Sequence, residues 1–147
     1  MDLGLEGTVA FVTGASKGIG KATARLLAQE GCRVVITARG DELLQRTAAE
    51  LASETGGEVT PLQGDMSVVE DVERTVAETI GRFGRIDILV TCAGSSPGGL
   101  LENLTEDDWF GSLNLKFMGS SALAARSCPT CARRAGAASS WSSATTA

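Results

Sequence analysis

Apolar residues along this chain follow two alternating rhythms. Thr8 to Thr13, "TVAFVT", is a short apolar run ending in the glycines of "GASKGIG", the pattern of a buried strand entering a tight turn. From Ile19 to Glu30 the spacing becomes helical, with Ile19, Ala22, Leu26 and Leu27 recurring and Gly31 as a stop. "RVVITA" is a second, β-branched strand, and Asp41 opens a helix carrying Leu43, Leu44, Ala48 and Leu51 on one face up to "TGG". "EVTPLQGD" predicts a third strand, placed at a sheet edge by Pro61, which has no N–H to donate. Ser67 and Glu70 have the spacing of a capping box before a helix with Val72, Val76 and Ile80. "RIDILVT" predicts a fourth strand, a Gly/Ser/Pro loop covers Cys92 to Gly99, and Thr105-x-x-Asp108 starts a last helix towards Met118.

Strands and helices in alternation predict parallel β-α units, with helices on both faces of one sheet. The expected fold class is therefore α/β, a doubly wound Rossmann-type parallel sheet truncated after about four strands. The pattern is clear to about Ala125 and then stops. We expect residues 1–126 to form a Rossmann-type half-domain and residues 127–147 to be a disordered or out-of-frame tail.

Composition narrows the function classes. The chain has 147 residues, 43% hydrophobic and 21% charged, enough for one domain with a core. A net charge of −5 without a Lys/Arg block argues against nucleic acid or anionic membranes as partners. No apolar run reaches bilayer length and "MDLGLEG" lacks a secretion signal, so a cytoplasmic location is expected. The chain has no His and no Tyr. It offers neither an imidazole for a triad or metal nor a phenol for proton transfer.

The chemistry concentrates in "TGASKGIG". Gly14, Gly18 and Gly20 stand between a strand and a helix, where a phosphate needs a close backbone and free N–H groups at a positive helix end. Taken alone such a glycine triplet is weak; its strand-helix setting strengthens it. At this point the chain resembles the short-chain dehydrogenase/reductase family, whose opening motif Thr-Gly-x3-Gly-x-Gly is matched from Thr13 to Gly20. The resemblance covers roughly residues 5 to 125. It implies a cofactor-binding loop of Gly14, Ser16, Lys17, Gly18, Ile19 and Gly20. It also implies that Asp65 bonds adenine with Met66 beside it, that Ala93 and Gly94 form the turn by the nicotinamide ribose, and that Asn114 is a catalytic asparagine. Thr91 and Cys92 replace the family's usual asparagines. Asp65 could equally be a turn residue, and Asn114 a polar helix position.

An acidic residue after the second strand would favour NAD by bonding the ribose 2′-OH, whereas a cation there favours the 2′-phosphate of NADP. Ala38-Arg39 stands at that point, with Lys17 in the glycine loop, so NADP is expected over NAD. The family's activity is hydride transfer between nicotinamide and a small-molecule carbonyl or alcohol, through a Tyr-x3-Lys pair. This chain has no such pair, and carbonyl reduction by that mechanism is not expected of it. The alternative is a non-catalytic nucleotide- or partner-binding protein on the same scaffold; a homo-oligomer is left open.

The tail, "SCPTCARRAGAASSWSSATTA", has Cys128 and Cys131 as a Cys-x-x-Cys pair. Two thiols without His or a second pair argue against zinc, and no thioredoxin-like context surrounds them, so no metal site is expected. A missing base near Arg126 offers another reading. A slipped frame moves the first T of Trp and TC-type Ser codons to the middle position, which encodes apolar residues. "SSWSS", 139–143, then becomes five apolar residues in a row, as in a buried strand.

Overall fold

The computed structural model describes residues 3–94 and 101–135, apart from the side chains of 101, 118 and 128–135. Strands β1 (Val9–Thr13), β2 (Arg33–Ala38), β3 (Val59–Gln63) and β4 (Ile88–Thr91) form one parallel sheet in the order β3-β2-β1-β4. Helices α1 (Gly18–Gln29), α2 (Asp41–Thr55) and α3 (Val69–Phe83) connect them. After β4 come a short 3-10 turn (Leu101–Asn103), α4 (Glu106–Leu113), a π-helical turn (Asn114–Gly119) and α5 (Ser120–Ala135). Part of the Gly/Ser/Pro loop, from Ser95, and the tail from Gly136 lie outside the described residues.

The sheet has a core on each face. Ala10, Val12, Val34 and Ile36 meet Ala24 and Ala28 of α1 and Leu44, Ala48 and Leu51 of α2. Phe11, Val35 and Leu62 meet Val72 and Val76 of α3 and Leu123 of α5. Successive strand residues thus serve opposite layers, which explains why "TVAFVT" is apolar throughout rather than alternating. Full burial of each large aliphatic or aromatic side chain contributes about 1.5–3 kcal/mol. β3 lies at the edge expected from Pro61, which stands opposite Ile36.

Three local expectations change. The buried face of α1 is Gly20, Ala24 and Ala28, whereas Ile19 is 79% and Leu26 62% exposed. Small residues let the helix axis approach the sheet closely, so the larger side chains turn outward. No Ser67–Glu70 capping box forms: α3 starts at Val69, behind Val68, without a side-chain cap. Asp65 captures Ser67 instead, its Oδ1 accepting from the Ser67 N–H at 2.9 Å and hydroxyl at 2.7 Å. A carboxylate two residues back is a strong local acceptor and closes an Asx turn before the helix can be capped. The helix opened by Thr105 continues through the π-helical turn to Ala135, crossing the boundary at Ser127. Its start is as expected, with Thr105 and Asp108 forming a reciprocal capping box.

Candidate functional site

Thr13 ends β1 and braces the neighbouring strand's exit. Its Oγ1 accepts from the N–H of Cys92 at 3.1 Å and of Ala93 at 3.0 Å. Gly14 follows with φ +64°, and a Cβ there would stand 2.7 Å from the Ala93 nitrogen. The β4 exit can therefore lie against the loop only because position 14 has no side chain. A Cβ on Gly20 would strike the Gly14 carbonyl oxygen at 2.5 Å, so the first turn of α1 is seated on the same loop. Lys17 precedes α1 and no side chain caps that helix end, leaving its partial positive charge directed to the loop.

These elements wall a cleft of about 580 Å³ beyond the carboxyl ends of the strands. The glycine loop supplies one wall through Gly14, Ser16, Lys17, Gly18, Ile19 and Gly20. Ala38, Arg39 and Gly40 after β2, Gly64, Asp65 and Met66 after β3, and Cys92, Ala93 and Gly94 after β4 complete it. β1 lies between β2 and β4, so the cleft sits where the strand order reverses, the usual ligand position in open α/β sheets. Every residue expected from the sequence to bind a cofactor lines this cleft. Asn114 does not: it begins the π-helical turn, is exposed, and its Nδ2 donates to the Ser67 carbonyl at 3.4 Å. Its neighbour Leu115 lines the cleft instead.

Sequence reasoning missed Leu43 and Leu115 as apolar lining, and Thr13 as the brace. Leu43, expected on one face of α2 with Leu44, Ala48 and Leu51, is 47% exposed and lines the cleft, while those three are buried. The clue for Thr13 was its place, a hydroxyl at the strand end directly before the first glycine. Lys17 and Arg39 carry the cleft's cationic character; neither enters an ion pair among the described residues. Asp65 keeps Oδ2 uncommitted, since both of its turn bonds use Oδ1. Its backbone N–H donates to Asp71 Oδ2 at 2.8 Å, which with the Arg74 guanidinium holds the Asp71 carboxyl below its ordinary range. Among the described residues no group of three or more His, Cys, Asp or Glu could hold a metal ion. No helix among them is long and apolar enough to cross a membrane.

The family model described as short chain dehydrogenase matches residues 8–145. The chain belongs to this family. It is 37% identical over 116 residues to a 3-oxoacyl-[acyl-carrier-protein] reductase of Synechocystis, covering 78% of the chain and 47% of that protein. Among solved structures it resembles the L-sorbose reductase of Gluconobacter frateurii complexed with NADPH and L-sorbose. That match has a TM-score of 0.86 and 33% identity, covering 91% of this chain and 51% of the other. A metagenomic short-chain oxidoreductase in complex with NADP matches with a TM-score of 0.81 and 33% identity, covering 88% and 58%. The chain spans less than half the length of the curated relatives it matches.

Proposed function

We propose that this chain is the NADP-binding part of an oxidoreductase acting on a small-molecule carbonyl or alcohol. One observation carries the reading: the glycine loop, the uncapped start of α1 and two unpaired cations converge on one cleft at the point of strand-order reversal. When bound, NADP would supply the hydride-carrying C4 of its nicotinamide. Gly14, Gly18, Ile19 and Gly20 would hold the pyrophosphate, with Ser16 as a hydroxyl partner. Lys17 and Arg39 would hold the 2′-phosphate. Asp65 would accept from the adenine through its uncommitted Oδ2, with Met66 packed beside it, and Ala93 and Gly94 would bound the nicotinamide ribose. The NADPH- and NADP-bound relatives support this choice of dinucleotide.

Asn114, one residue from the cleft-lining Leu115, would take the catalytic asparagine role that the resemblance implies. The family's phenol is not supplied by these residues, since the chain has no Tyr. We therefore infer that the 147 residues bind the cofactor without turnover. That also favours, as a second reading, a nucleotide-binding protein without catalysis. From about Ser127 we read the residues as out-of-frame translation, which nucleotide sequencing tests: the other frame downstream must encode Tyr-x3-Lys.

The test of the binding reading is titration of the chain with NADPH and NADH. NADPH is expected to bind more tightly. Arg39→Ala should abolish most of that preference, weakening NADPH about tenfold or more and NADH little, as expected for loss of a charge-assisted phosphate contact. Equal binding of both dinucleotides by the wild type would refute the NADP assignment. Turnover of NADPH with any carbonyl compound would refute the inference of binding alone.

A further inference from the structure

We propose that Asp107 sets an upper limit on how strongly this cleft prefers a phosphate-bearing dinucleotide, an inference that rests on the NADP reading above. Beside the main cleft lies a second recess of about 270 Å³, bounded by Arg39, Asp65, Ser67, Asp107, Asp108 and Leu115 among others. Arg39, Asp65 and Leu115 line both spaces. The cation assigned to the 2′-phosphate therefore has the start of α4 across from it.

Three carboxylates bound that recess, and two are already engaged. Asp65 Oδ1 holds the Ser67 N–H and hydroxyl. Asp108 Oδ2 accepts from the Thr105 N–H at 2.9 Å and hydroxyl at 2.7 Å in the capping box. Asp107 is exposed and enters none of the side-chain hydrogen bonds or ion pairs among the described residues. Its negative charge is thus not offset by a partner where Arg39 meets the recess. A 2′-phosphate drawn to Arg39 is repelled by Asp107, while a ribose 2′-OH is not. The repulsion acts on the phosphate-bearing dinucleotide alone and so reduces discrimination between the two.

The experiment measures calorimetric affinities of NADPH and NADH for the full chain, for Asp107→Asn and for Asp107→Glu. Asp107→Asn should tighten NADPH about fivefold at low salt and leave NADH essentially unchanged, the scale expected for removing one nearby like charge in a solvent-exposed setting. The gain should shrink towards none at about 0.5 M salt, where screening is effective over a few ångströms. Asp107→Glu keeps the charge and should keep the wild-type ratio. A merely structural role for Asp107 would move both dinucleotides together. That result, or no change in a wild type that prefers NADPH, overturns the inference alone. If the wild type shows no NADPH preference and Arg39→Ala changes neither affinity, the cofactor reading fails, and this inference with it.

Discussion

Gly14 and Gly18 share a loop and a positive φ but answer different needs. A Cβ on Gly14 would overlap the Ala93 and Cys92 backbones, whereas around Gly18, at φ +58°, nothing lies within 4 Å. Gly18→Ala should therefore cost only the left-handed backbone conformation, about 1–2 kcal/mol. Gly14→Ala adds a collision with main chain, so its cost should exceed that of Gly18→Ala by about 1–3 kcal/mol, in the range of overpacking substitutions. Urea unfolding of the two variants checks the order; equal losses would mean the β4 exit can move away freely. The sequence made both glycines visible without distinguishing them, because the difference arises from a strand about eighty residues further along the chain. Asp65 teaches a related lesson. Its two sequence readings, turn residue and adenine ligand, are compatible, since the turn uses one carboxylate oxygen and leaves the other.

At the scale of elements, the strands were more legible than the faces of the helices. An apolar run such as that of β1 records burial on both sides directly, and all five of its residues are buried. Helical spacing instead leaves open how near the helix approaches. In α1 the packing face is made of Gly20, Ala24 and Ala28, residues that hydrophobicity alone ranks below Ile19 and Leu26. The entry to α3 departs from the expected capping box for a different reason: Ser67 has two candidate partners, and Asp65 is the nearer and stronger one. The same turn yields a pH prediction. Asp71 accepts from the Asp65 N–H and from Arg74, and these bonds hold its carboxyl below the ordinary value of 3.8. A carboxyl lowered in the folded state contributes stability above its ordinary value, and loses it as pH falls through the lower folded value. Asp71→Asn should therefore flatten the acid side of the stability profile below about pH 4. Urea midpoints measured from about pH 5 down to pH 2 test this; parallel profiles for the two proteins would remove Asp71 from the acid response.

For the whole molecule, the alternating pattern announced a parallel sheet but not its strand order, because neighbours such as β1 and β4 are far apart in the chain. That order places the site, by setting the exits of β1 and β4 side by side where Thr13 can brace Cys92 and Ala93. It also grades stability across the sheet. β1 is paired on both sides and fully buried, while β4 pairs only with β1 among the described residues and is half-buried to exposed. Amide exchange follows such gradients, since opening costs least where few contacts must break. Hydrogen exchange should thus be slowest in β1 and β2 and faster in β4. Saturating NADPH should slow the Gly14–Gly20 loop and Ala93 together, because one ligand spanning the cleft ties both to the β1 core. NADH at equal concentration should slow them less, since stabilisation by a ligand scales with the logarithm of its concentration over its dissociation constant. Protection of β4 equal to that of β1 in the free protein would mean that its outer edge is covered in solution. In that event the gradient drawn from the strand order is wrong, and the braced exit at Cys92 and Ala93 belongs to the rigid core rather than to its margin.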